Sequence, residues 1–360
     1  MVRPEQLSID RPIKPHSLVG VLKNQGGPED PVDPWEDPLG LNLYPYLIMC
    51  VHTLWWGMSS VVSVYWQTWS SSWVDDPEKL DLVVGMKDGV NIVNLAFADP
   101  NMKDVDGFRN TGLQFNQDFL VVKAGIQILR KRGIRVMLSV GGGSYPFAKG
   151  YTNAKVCCKL ASDLGCDGVD IDWEPQEGAA VDNEFAGLIT QFKYCLWPGA
   201  LLTAAVWSVG AAPKGEGGSL FAGMNIKGLQ SAGMNLDWIN LMAYDAGKAY
   251  RVVEAFQQYR RIFKGSIMIG LEVGTQAWGG ALLSNDDVVE ALKIVNDDGV
   301  KGNGVFVWAY QKECGGTPSV EYIVGKAAEG KVTVEGDKLP EWKVMITCPA
   351  CAYNIKCNYA

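Results

Sequence analysis

"DGVDIDWEP" (residues 167–175) sets four carboxylates, Asp167, Asp170, Asp172 and Glu174, among Val169, Ile171 and Trp173. Side chains along a strand alternate between its two faces, so Asp170, Asp172 and Glu174 share one face and the apolar residues the other. Along that face the acids follow one another at steps of ~6.5–7 Å. Pro175 cannot continue a central strand, which puts Glu174 at the C-terminal end. Strict alternation with large apolar residues argues burial rather than an exposed acidic strand. In a closed parallel barrel the apolar face would meet helices and the acids would point inward, and barrel active sites form at the strands' C-terminal ends. Asp167 has the opposite parity and lies at the strand's start, where a structural role is expected. Carboxylates crowded in a dry site resist ionisation and titrate together, a cost commonly retained for chemistry.

Working outward, strand-like runs recur on both sides: 61–66, 90–98, 134–143, 168–174, 201–209, 236–245, 266–274 and 302–310. Helix-like segments lie at 119–133, 154–165, 182–196, 249–263, 285–299 and 318–329. The strands are near-continuous apolar runs, as expected when both faces of a parallel sheet are covered. Eight such units predict an α/β TIM (β/α)8 barrel over 61–329, with a doubly wound sheet as the structural alternative. Residues 1–38, rich in Pro, Asp and Lys, read as an irregular leader. Residues 39–60 form an uncharged apolar segment with three open readings: a signal-anchor, a displaced signal peptide or a helix packed on the domain. Residues 330–360 form a Cys-containing tail outside the barrel.

The formal net charge of -8 repels phosphate backbones, so nucleic acid is not expected as a partner. It does not disfavour a neutral polymer, and among 13 Trp a share can stack on flat ligand faces. The two His, His16 and His52, precede the first strand, which leaves the barrel no Ser-His-Asp triad or His-ligated metal. Catalysis there must rest on carboxylates, Tyr, Lys or Cys. Nine Cys show no regular disulfide framework, and Cys348, Cys351 and Cys357 lack a local fourth zinc ligand. No metal and no cofactor are expected.

"DGVDIDWE" resembles the DxxDxDxE signature of glycoside hydrolase family 18, the chitinases and their relatives. Further motifs resemble the family on the strands predicted to carry them: "VYWQTW" (64–69), "LSVGGG" (138–143), "LMAYD" (241–245) and "VFVW" (305–308). The resemblance covers about residues 61–329. It implies Glu174 as the general acid, Asp172 as the residue orienting the sugar's acetamido group, and Asp170 beneath it sharing a proton. It implies Ser139 bonded to Asp170 and Tyr244 on the acetamido oxygen, with Met242 and Asp245 beside it. Trp308 would form the floor under the sugar, and Tyr65 would add a hydrogen bond deep in the barrel. The nucleophile would be the substrate's own N-acetyl oxygen, and the product would retain its configuration.

Two departures shape the expected groove. Pro175 and Gln176 follow Glu174 directly, where many chitinases carry Tyr-Pro. Only residues 275–301 separate the seventh and eighth strand candidates, which leaves no room for the α+β insertion that walls the cleft of some relatives. A shallow groove and endo-type, non-processive cleavage are therefore expected, with Trp66, Trp69, Trp207 and Trp278 as candidate stacking residues. The expected partner is chitin or a chitooligosaccharide, acted on by a monomer that is extracellular or in the secretory pathway. Contact with a membrane is expected only through residues 39–60. Alternatives are an endo-β-N-acetylglucosaminidase on N-glycans and a catalytically inactive chitin-binding lectin or scaffold.

Overall fold

Eight parallel strands pair in chain order, and the eighth closes on the first: β1 (Val61–Gln67), β2 (Ile92–Ala98), β3 (Arg135–Gly141), β4 (Gly168–Asp172), β5 (Leu201–Trp207), β6 (Trp238–Met242), β7 (Ser266–Glu272) and β8 (Gly304–Trp308). The computed structural model describes residues 60–147, 152–175, 184–215, 219–247, 250–274, 282–312 and 317–329. The chain divides into Met1–Cys50 and Val51–Ala360, and every described residue belongs to the second unit. The leader, the apolar segment apart from Ser60, Trp278, both His and the tail cysteines lie outside the described residues. Among those described, no helix is long and apolar enough to cross a membrane.

The fold is a TIM barrel, and closure leaves no open edge for a doubly wound sheet. A helix follows each strand: α1 (Asp81–Val84), α2 (Phe119–Lys131), α3 (Ala154–Leu164), α4 (Glu184–Cys195), α5 (Ile226–Ala232), α6 (Val252–Ile262), α7 (Asn285–Asp298) and α8 (Val320–Glu329). Their apolar spacing sets which stripe is buried. In α2, Val122, Gly125, Ile126 and Leu129 face the sheet at helical intervals. The start of α7 carries a reciprocal cap between Ser284 and Asp287, and Gly299 ends it in the left-handed conformation.

Strand parity divides the core in two. Outward residues such as Val64, Leu95, Leu138, Ile171 and Val307 pack against the helices. Inward residues such as Tyr65, Met137, Trp238, Met268 and Phe306 fill the barrel. Asp167, at the foot of β4, takes the Val136 N–H at 2.9 Å and pairs with Arg130 and Arg135 at 3.2 and 3.5 Å. It ties α2 and β3 to β4, a structural role. A disulfide joins Cys158 of α3 to Cys195 of α4, a pairing that cysteine spacing did not reveal. Cys157 and Cys166 are free and buried.

Candidate active site

Inward parity brings Asp170, Asp172 and Glu174 into one file that climbs to the C-terminal mouth of the barrel. β4 ends at Asp172, two residues short of the expected boundary. Trp173 leaves the strand outward and stacks on Phe185 of α4 at 5.2 Å. That contact anchors the backbone from which Glu174 reaches back over the mouth.

Asp170 is fully buried, and four side chains hold it. Its Oδ2 accepts from Tyr65 Oη and Ser139 Oγ, both at 2.8 Å. Its Oδ1 accepts from Thr203 Oγ1 at 2.6 Å and Asn240 Nδ2 at 3.0 Å. Burial pushes the Asp170 carboxyl up, and the four donors oppose that push. Both of its oxygens are thus engaged from beneath and from the side. Asp172 is buried with its Oδ1 unpartnered. Burial first, then the charges of Glu174 and Asp170, raise it well above the ordinary carboxylate range. Glu174 is raised by burial as well, against a hydrogen bond from the Gly143 N–H.

Two glycine positions make this packing possible. A Cβ on Gly141 would lie 2.2 Å from the Asp172 carbonyl oxygen, and its φ is 108°. The bare backbone lets the end of β3 approach β4, and Gly142 N–H then bonds the Asp172 carbonyl at 2.9 Å. A Cβ on Gly270 would lie 2.8 Å from Tyr244 Cε1 and 2.6 Å from Phe306 Cζ. The empty space on β7 is therefore what seats the Tyr244 ring.

The file opens into a cavity of about 610 Å³ whose walls include Asp172, Glu174, Tyr244, Trp308, Phe97 and Trp69. Trp308 packs against Phe97 at 5.5 Å and Tyr65 at 6.0 Å, forming an aromatic floor. Met242 and Asp245 line the same cavity, whereas Asp170 and Ser139 lie beneath it. Burial and the surrounding acids raise Tyr244 well above the usual phenol range, so it meets a ligand as an O–H donor. Of the stacking candidates, Trp69 is 43% exposed at the rim, and Trp207 reaches the cavity while stacked on Phe221 at 4.3 Å. Trp66 is not a stacking residue. Its parity is outward, and it is buried against Tyr310 at 5.4 Å.

Thr203, Asn240, Gly270 and Glu272 went unrecognised in the sequence. The parity rule that found the β4 acids reaches all of them, since each is inward on its strand. Among the described residues, no cluster of three or more His, Cys, Asp or Glu could hold a metal ion. The arrangement offers acid–base chemistry: a carboxyl raised by burial at the mouth, a second carboxyl below it, a phenol donor to one side and a flat apolar floor.

The sequence profile of a family described as Glycosyl hydrolases family 18 matches residues 61–322. Chitinase B of Serratia marcescens is 31% identical over 131 residues, covering 31% of this chain and 26% of that one. The chain thus spans about a quarter of the length of that curated relative. A GH18 chitinase structure from Pseudoalteromonas aurantia superposes with a TM-score of 0.55 at 16% identity, covering 75% of this chain and 100% of the other. A fungal endo-β-N-acetylglucosaminidase of family 18 gives 0.54 at 16% identity, covering 75% and 96%. At such identities the structural likeness is one of fold.

Proposed function

The chain belongs to glycosyl hydrolases family 18, and on that premise we propose that it is an endo-acting chitinase that cleaves β-1,4-linked N-acetylglucosamine with retention. The observation that carries this reading is the acid file. It is locked from beneath by Tyr65, Ser139, Thr203 and Asn240, and it opens at Glu174 into an aromatic-floored cavity.

Glu174 gives its proton to the glycosidic oxygen as the bond to the anomeric carbon breaks. The acetamido oxygen of the same sugar bonds to that carbon, and a cyclic oxazolinium forms. Family 18 is an established exception to the scheme in which a second carboxylate attacks. Tethering gives the internal oxygen a very high effective concentration. Asp172 orients the acetamido N–H and balances the charge on its nitrogen, and Tyr244 donates to its oxygen. Water, deprotonated by Glu174, then opens the ring from the face the leaving group left, which retains configuration. A secreted location suits a polymeric substrate and accords with the Cys158–Cys195 disulfide.

The acetamido requirement gives the test. N-acetylchitooligosaccharides should be cleaved at least ~10²-fold faster than their fully deacetylated counterparts, given the size of intramolecular effects. Equal rates would end the mechanism. Cleavage of an N-glycan chitobiose core, with chitooligosaccharides untouched, would move the assignment to an endo-β-N-acetylglucosaminidase. With polymer, mixed product lengths are expected from the outset. A disaccharide as the main early product would contradict the open, non-processive groove.

Gly270 supplies a second test. A methyl group there presses on the Tyr244 ring and on the Leu241 carbonyl at 2.8 Å, and backbone cannot yield as a flexible side chain can. Gly270→Ala should lower kcat by about tenfold or more through misplaced Tyr244. A folded variant with unchanged kcat would show that Tyr244 does not need its present seat.

A further inference from the structure

Glu272 has no part in this catalytic scheme, yet its placement is costly. It is the last residue of β7, inward like Met268 and in register with Trp308 of β8. It is 4% exposed, and its Oε1 has no partner. Its carboxyl is hydrogen-bonded to that of Asp245. Two carboxyl groups can bond in this way only if one of them carries a proton. Asp245 itself has a φ of 53°, a conformation that non-glycine residues adopt rarely and that surrounding contacts must hold. Tyr244 and Asp245 both line the catalytic cavity. They also line a second cavity of about 940 Å³, whose wall includes Glu272.

We propose that Glu272 is a positioning residue that, as a neutral acid, donates a hydrogen bond to Asp245 and so fixes Asp245 and the adjoining Tyr244 for the sugar. The proposal rests on the hydrolase reading. Burial and the charge of Asp245 push Glu272 up to about 8, with Lys312 opposing, so the proton stays on Glu272 at neutral pH. The groups facing it are Asp245 and Tyr244 beyond β6 and Lys312 beyond β8. Arg251 before α6 and Asp287 and Glu290 of α7 line the same cavity. Asp287 is already engaged by Ser284. Above about 8 the proton leaves, two carboxylates oppose each other with Lys312 as the counter-charge, and the seat of Asp245 loosens.

The test is binding rather than turnover, which removes Glu174 as a confounding titration. N-acetylchitotetraose affinity is measured across neutral and alkaline pH in Glu174→Gln and in Glu174→Gln/Glu272→Gln, alongside infrared carboxyl titrations of both proteins. The glutamine amide donates to Asp245 at every pH. The single variant should lose on the order of tenfold in affinity as pH rises through about 8, while the double variant keeps its neutral affinity. A carboxyl signal titrating in that range should be present in the first protein and missing from the second. The same alkaline loss in both, or no such signal, overturns the proposal. If Glu174→Gln binds no sugar at any pH, the hydrolase reading fails and takes the positioning role with it. A carboxyl titration still lost on Glu272→Gln would then identify the acid pair alone.

Discussion

Glu174→Gln should lower kcat on N-acetylchitooligosaccharides by about 10³-fold, within the range that general acid catalysis contributes, and leave binding within a few-fold. The amide matches the carboxyl in size, and its carbonyl oxygen can still accept the Gly143 N–H. What it lacks is a proton to give. Burial raises the Glu174 carboxyl, so the parent holds that proton to higher pH than an exposed glutamate would, and activity should fall as pH climbs through the raised value. Steady-state kinetics on a chromogenic oligosaccharide reads both effects. A variant keeping a tenth or more of parental kcat would remove Glu174 from the acid's role. Absence of turnover in parent and variant alike, with binding intact, would make the protein a lectin on a hydrolase scaffold.

The acid strand was legible because its two faces differ so sharply: Val169, Ile171 and Trp173 could only be buried among helices, which forced Asp170, Asp172 and Glu174 inward. The same parity, not carried to every strand, would have found Thr203, Asn240 and Glu272, and would have removed Trp66 from the ligand side. Its outward position in "VVSVYWQ" follows from inward Tyr65. Helices α1 and α5 escaped for a different reason. The first has four residues and the second seven, too short for a periodic stripe. Helix α5 also carries Gly228, an unfavourable residue for a helix interior, where a Cβ would lie 2.5 Å from Phe185 Cδ1 of α4. Close helix packing dictates that glycine, and only the folded chain shows the neighbour. The Cys158–Cys195 bond is similar: each half sits on its own helix, and adjacency around the barrel brings them together.

Asp172→Asn should cost activity and gain stability, and the two effects together test the site's electrostatics. Asp172 is buried with an unpartnered oxygen beside two other acids, and its carboxyl is raised well above the 3.8 of an exposed aspartate. The folded state therefore keeps a proton that the unfolded state has released, and stability falls as pH rises between the two values. Asparagine does not titrate, so it removes that slope. Below about 3.8 both side chains are neutral and nearly isosteric, and the variant should match the parent. At neutral pH it should be the more stable of the two, visible as a thermal midpoint gap that widens with pH. Because Asn cannot ionise to balance the positive charge that develops on the acetamido nitrogen, kcat should fall by about 10²–10³-fold, as when one preorganised electrostatic partner is removed. A gap that stays constant with pH would mean that Asp172 ionises freely in the folded protein. A stabilised variant with full activity would mean that its charge has no part in the reaction. A more stable and much slower enzyme is the joint outcome expected if the barrel holds this carboxyl buried, at a cost in stability, because the reaction needs an ionisable group there.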